Sequence, residues 1–205
     1  NYIYLDREER QKFYLNKHEY TIQQVYYSNP KYLNNLNNKI YMESINPCKY
    51  IIFMTQVKYF LNYNVNENFN YNLYFFDPKL IDNNNFSFIK KTNTPVIKSI
   101  YFSLNSNPAI EEFEMKFFSN LLPCLYYPMG KNSSGFGYYS FSLYPDTLQP
   151  SGSLNMSYFT NFEINSVFNP VDIDYNQYVF KMYTVNYNIL KIANGVCATI
   201  FNSAF

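Results

Sequence analysis

Between residues 138 and 164, YYSFSLYPDTLQPSGSLNMSYFTNFEI, apolar and polar positions alternate on both sides of a short polar break. Tyr139, Phe141 and Leu143 alternate with Tyr138, Ser140 and Ser142, and beyond the break Leu154, Met156, Tyr158, Phe162 and Ile164 all fall on even positions. A period of two places one set on a buried sheet face, so two strands are expected, joined by a tight corner at Gln149, Pro150, Ser151 and Gly152. Pro150 presets the dihedral needed early in a turn, and Gly152 tolerates the backbone needed at its end. A slip of one residue would turn the apolar set to solvent, so the corner is expected to hold the register of the sheet.

The rest of the chain has the same texture. Asp6 with Glu9 three residues on has capping-box spacing and predicts a short helix to about Leu15. A strand follows over His18 to Tyr27, with Tyr20, Ile22, Gln24 and Tyr26 on one side. Asn46 to Gln56 reads as a continuous buried strand entered from a proline turn. The polar stretches 62–72 and 82–95 and the asparagine runs at 34–38 and 83–85 read as loops. Val96 to Leu104 alternates Ile100, Phe102 and Leu104 against Ser99, Tyr101 and Ser103. Asn107 to Leu121 carries helix signals: Asn107 as cap, Pro108 at the first position, Glu111, Glu112 and Glu114 near the positive end, a stripe of Ile110, Phe113, Phe117 and Leu121, and Pro123 as terminator. A loop is expected over 131–137 and a break over 170–175. Gln177 to Ile192 is strand-like throughout, and Asn194 with Gly195 supplies a hairpin turn before a last strand from Val196 to Phe201. Seven or more short strands with one helix near the start and one inserted helix predict an all-β, antiparallel sandwich.

At 205 residues the chain has the length of one domain, and no internal repeat interrupts it. A formal net charge of +1 without a basic run argues against direct contact with nucleic acid. The three cysteines, Cys48, Cys124 and Cys197, are odd in number and widely spaced, which fits a reducing compartment and core thiols better than disulfides or zinc. No apolar run approaches the ~20 residues that cross a bilayer. His18 is the only histidine, so neither a Ser/His/Asp set nor a multi-histidine metal site can be assembled, and no cofactor or metal is expected. At a helix-to-strand junction His18 reads as structural, and Asp6, Glu8 and Glu9 read as a cap and a solvated face. The sequons at Asn85, Asn132 and Asn155 are coincidences of an Asn-rich composition. The stripe Tyr71, Tyr74, Phe75 and Phe76 reads as core packing, with a subunit interface as the alternative. Asn1 falls within strand-like sequence, so an upstream part of the protein is expected.

Four stretches carry a family resemblance. SFSLYPDTLQPSGSLNMS at 140–157, YIYLDREERQKF followed by HEYTIQQ at the start, NPCKYIIFMTQ at 46–56, and TVNYNILKI with Asn194 and Gly195 resemble, in order, segments of the double jelly-roll major capsid proteins of nucleocytoplasmic large DNA viruses. The stretch 56–137 departs most from that family. The resemblance implies a jelly roll, with residues 1–17 as the end of a preceding jelly roll plus a linker helix and 18–205 as the C-terminal jelly roll. It makes Asp6, Glu9, His18, Glu19 and Tyr20 an inter-domain junction. It implies a structural protein rather than an enzyme, made and assembled in the host cytoplasm into a virion capsid. Its partners would be itself, as a homotrimer of six-cornered outline tiling an icosahedral shell, then minor capsid proteins, and an internal membrane reached through them. Loops at 62–95 and 126–137 would face outward. A transient trimeric scaffold of the same fold and a carbohydrate-binding jelly-roll module are the alternatives.

Overall fold

A computed structural model describes residues 6–43, 46–57, 74–76, 91–126, 136–169 and 178–201. Helix α1 (Arg7–Leu15) starts where Asp6 caps it, the Asp6 carboxylate accepting from the Glu8 backbone N–H at 3.2 Å. The strands are β1 (His18–Tyr32), β2 (Asn37–Tyr41), β3 (Pro47–Val57), β4 (Tyr74–Phe76), β5 (Lys91–Pro95), β6 (Ile97–Leu104), β7 (Asn107–Glu114), β8 (Gly137–Ser140), β9 (Leu154–Asn155), β10 (Phe162–Phe168), β11 (Tyr178–Ala193) and β12 (Val196–Thr199). A π-helical turn (Phe117–Leu121) runs into helix α2 (Leu122–Tyr126), and a 3-10 turn covers Met156–Tyr158.

Pairing defines the architecture. β1 pairs with β11, β2 with β10, β3 with β8 and β6 with β7, all antiparallel. Leaving aside the short β4, β5, β9 and β12, first pairs with last and second with next-to-last, so the chain folds as one long antiparallel ribbon. Successive pairs of that ribbon fall alternately into two sheets, ordered β1-β11-β3-β8 and β2-β10-β6-β7, which is the jelly-roll plan. β9 and β12 extend the first sheet, and β4 with β5 forms a separate hairpin.

Between the sheets lies an aromatic core. Phe53 of β3 is fully buried, stacked on Phe180 at 5.9 Å between centroids and meeting Phe118 and Phe102 edge-on at 5.7 and 6.4 Å. Phe102 continues the cluster to Phe162 at 5.7 Å, and Cys48, Ile51, Ile100 and Ile164 fill the remaining space. Edge-on and offset rings add to the burial of ~150–250 Å² that each aromatic contributes.

The ends of the sandwich differ. The connections at 42–46, 105–106 and 141–161 share one end, where Met42 N–H donates to the Phe162 carbonyl and Asn105 N–H to that of Asn161. At the opposite end Phe168 N–H donates to the Leu36 carbonyl and Leu33 N–H to that of Tyr178. That second end also holds the end of β3 at Val57, the start of β6 at Ile97, the end of β7 at Glu114 and the start of β8 at Gly137.

Several expectations are corrected. Asn107 to Glu114 is a strand, not the start of a helix, because β6 offers it register: Ile110 lies opposite Phe102 and Phe113 opposite Ile100. Asn105 and Ser106, at φ 49° and 67°, form the two-residue turn that precedes it, and helical backbone begins only at Met115, just before the π turn. Pro123 stands inside α2 rather than ending a helix, directly after the π turn in which Leu122 N–H donates to the Phe117 carbonyl. Lys91–Pro95 is strand rather than loop, and Asn37 and Asn38 open β2. Only Cys48 is a core thiol; Cys124 and Cys197 are exposed. Residues 1–5, 62–72, 83–85, 131–135 and 170–175 and the side chains of the aromatic stripe lie outside the described residues.

The central pattern around 138–164 is also corrected. β8 ends at Ser140 and pairs with β3, whereas β10 pairs with β2 and β6, so the segment crosses between sheets instead of forming a hairpin. Leu143 and Tyr158, assigned inward by alternation, are 73% and 79% exposed.

Candidate assembly surfaces

The corner residues sit in a closed loop spanning 141–153. Ser151 closes it: its hydroxyl accepts from Tyr144 N–H at 2.8 Å and lies 2.6 Å from the Ser142 hydroxyl, while its carbonyl accepts from Leu143 N–H at 3.3 Å. Thr147 donates to the Tyr144 carbonyl at 2.9 Å. Gln149 and Pro150 are exposed at the rim, and Gly152 sits at φ +127°, a conformation reserved for glycine.

Lys49 fastens this loop to the sheet. Only 2% exposed, it donates from Nζ to the Thr147 carbonyl at 3.0 Å, and its own carbonyl accepts from Phe141 N–H at 2.9 Å. The ammonium stands 5.6 and 5.9 Å from the ring centres of Tyr187 and Tyr50. Burial pulls its pKa below the usual lysine value, and the negative charge of Asp146 opposes that pull. β9 adds a second tie, with Pro47 opposite Asn155 and Cys48 opposite Leu154. The stretches 46–56 and 140–157, separate in sequence, are therefore one structural unit. Its sequence signal was a lysine opening an otherwise apolar strand.

Replacing Lys49 by Met keeps most of the stem packing and removes the hydrogen bond and the charge. Because a buried charge carries its own desolvation cost, the two losses largely cancel in global stability. The expected result is a melting temperature within a few degrees of wild type but amide exchange across 143–148 at least tenfold faster, read by mass spectrometry. Unchanged exchange there would show that Lys49 does not hold the loop.

At the other candidate region, the His18 ring stacks on Phe13 at 4.3 Å and 15° and lies parallel to Tyr20 at 6.2 Å. His18 Nε2 is 3.4 Å from the Lys12 carbonyl at the end of α1. Glu19 pairs with Lys191 of β11 at 3.2 Å, Tyr20 is 44% exposed, and Glu9 is exposed on α1. These residues join α1 to the first sheet. Asn188 of β11, fully buried, donates to Gln24 and to the Phe201 carbonyl, each at 2.7 Å, and accepts from Phe201 N–H at 3.0 Å. It thereby ties residue 201 to the same side of the sandwich. Sequence reading missed this role of Asn188, since a lone Asn in a strand carries no signal of its partner.

Among the described residues no three His, Cys, Asp or Glu side chains converge as for a metal, and no helix is long and apolar enough to cross a membrane. What the surface does offer is apolar side chains on ordered backbone. The corner loop exposes Leu143, Tyr144 and Leu148 at 73, 64 and 91%, and the helical segment exposes Leu121 and Leu125 at 51 and 66%.

The profile of the family described as large eukaryotic DNA virus major capsid protein matches residues 9–198. The chain is 28% identical over 204 residues to Probable capsid protein 4 of Acanthamoeba polyphaga mimivirus, covering 99% of this chain and 38% of that protein. It is 27% identical over 213 residues to the major capsid protein of Pyramimonas orientalis virus, covering 96% and 46%. Among solved structures, PBCV-1 VP54 fitted into a reconstruction of the virophage Sputnik superposes with a TM-score of 0.75 at 21% identity, over 98% of this chain and 55% of that one. The chain thus spans less than half the length of these two curated relatives. A profile match running from α1 to β12, over strands paired in jelly-roll order, places the chain in the family of large eukaryotic DNA virus major capsid proteins.

Proposed function

We propose that this chain is the C-terminal jelly roll of a major capsid protein that carries two jelly rolls and assembles into trimeric, six-cornered capsomers of an icosahedral virion. The observation that carries the reading is the extent of the family match. It runs from α1 to β12 over strands paired as one jelly roll, while the curated relatives are more than twice as long. Residues 6–17 then act as the linker from the first jelly roll, and the stack of Phe13, His18 and Tyr20 fixes the angle at which the two domains meet.

Function here is assembly rather than reaction. A closed trimer repeats one heterologous contact three times, and many weak contacts between capsomers add up to a stable shell. The end at which β3 leaves and β6 enters is the outer one in this reading, since the long stretch 58–96 joins them and long connections vary most freely where they meet solvent. The compact corner end faces inward, toward minor capsid proteins and, through them, an internal membrane.

The test is the mass of the full-length protein under denaturing and native conditions. A chain at least about twice this length, as a second domain of ordinary size requires, that runs as a trimer is the expected result. A full-length chain that stays monomeric over the micromolar range would defeat the capsomer reading, and binding to a glycan array would then become the next measurement. Presence of the protein in purified mature particles separates a permanent shell from a discarded scaffold.

A further inference from the structure

The flank of the sandwich where β7 runs into the π turn and α2 bears a shallow, mainly apolar groove of about 550 Å³, lined by Phe113, Phe117, Leu121 and Cys124 together with Glu114, Lys116 and Asn120. Phe113 and Phe117 stack at 4.3 Å, so one wall is preformed. The groove is mainly apolar, and its lining carries one charge of each sign. That chemistry suits a protein surface rather than phosphate or an anionic membrane.

Its place in the fold says whose surface. β8 and β1 are the opposite edges of the first sheet, three strand spacings of about 4.8 Å apart. Both ends of the described chain are held on the β1 and β11 side, α1 through His18 and the Gly195 turn, residue 201 through Asn188. Whatever is joined to either end starts on the far side from the groove. β7, the outer strand of the second sheet, carries Pro108, Glu111, Glu112 and Glu114, a composition that resists strand-to-strand addition and leaves side-chain docking as the mode of contact.

We propose that this groove is the contact through which the domain docks on a neighbouring copy of the same protein, one side of the heterologous interface that closes the ring. This rests on the capsomer reading above and adds the surface that makes the contact. Cys124 provides the probe, since its thiol is exposed in the isolated chain and would be covered in the ring.

The experiment uses the full-length protein and measures alkylation of Cys124 by iodoacetamide in the trimer and in dissociated subunits. Cys124 is expected to react at least tenfold more slowly in the trimer. In parallel, Leu121→Asp is expected to raise the dissociation constant of the trimer at least a hundredfold while leaving the melting temperature of the subunit unchanged, with Leu121→Met close to wild type. A wild-type trimer whose Cys124 reacts as fast as in free subunits, or a Leu121→Asp trimer of unaltered affinity, overturns the groove contact and leaves the capsomer reading standing. A wild-type chain that never trimerises removes both.

Discussion

Gly137→Ala is expected to lower the stability of the domain by about 3 kcal/mol, the upper part of the range for overpacking a rigid core. Gly137 opens β8 directly opposite Phe53, and a Cβ built there would overlap the edge of the Phe53 ring and stand 2.8 Å from the Met115 methyl. Met115 can yield, being flexible. Phe53 cannot, because Phe102, Phe118 and Phe180 hold its ring from three directions. For a domain of this size the loss corresponds to a melting temperature lower by roughly 6–12 °C. The cause can be checked by rescue. Phe53→Leu removes the ring atoms that collide, so the double variant should be more stable than the two single losses predict by at least about 1 kcal/mol. Simple addition of the two losses would mean that the clash is relieved elsewhere.

Gly152→Val should be the next most damaging single change, at about 2–3 kcal/mol. The backbone at φ +127° is one that a β-branched residue adopts only under strain of about that size, and the new Cβ would also lie 3.4 Å from the Phe141 carbonyl. Unlike Gly137, however, Gly152 belongs to a surface loop. The protein can escape the strain by releasing 141–153 from Lys49 and opening the Ser142–Ser151 contact within it, so the global loss is capped by the free energy of opening that loop. The expected signature is accordingly a fall in melting temperature smaller than that of Gly137→Ala, together with protease cleavage near Leu148 and reduced yield of trimer in the full-length protein. A variant as stable, as protease-resistant and as well assembled as wild type would show that the corner tolerates other backbone geometry.

The contrast between these two glycines marks what could be read in advance. Gly152 stood in an evident turn sequence, and its need for glycine followed from local chemistry. Gly137 stood at the end of a polar stretch that reads as a loop, and nothing near it in sequence reveals that Phe53, far upstream, would occupy the space beside it. Lys49 is a similar case: a lysine in an apolar strand is visible, but its partner Thr147 is 98 positions away.

Elements whose determinants are local were legible. Asp6 caps α1, through Glu8 N–H rather than the Glu9 N–H of a capping box, and Asn194 and Gly195 take φ 53° and 76° in the two-residue turn that joins Ala193 to Val196. The long apolar runs of β3 and β11 are buried central strands. Asn107 to Leu121 shows the limit. Its cap, proline, glutamates and apolar spacing all favour a helix by tenths of a kcal/mol to about one each. Pairing with β6 satisfies the backbone and seats Ile110 and Phe113 beside Phe102 and Ile100, a larger gain that only a partner strand can supply.

By itself, then, the sequence determined the class of this protein: an antiparallel β sandwich with a capped leading helix and a defined closing hairpin, because turn chemistry, capping and period-two alternation act within a few residues. Tertiary structure alone decided that 138–164 crosses between the sheets, that Lys49 clamps the corner, and that Phe113, Phe117 and Leu121 line a groove on one flank. Those outcomes depend on which distant strand lies alongside, and that choice is made by pairing and burial over the whole chain.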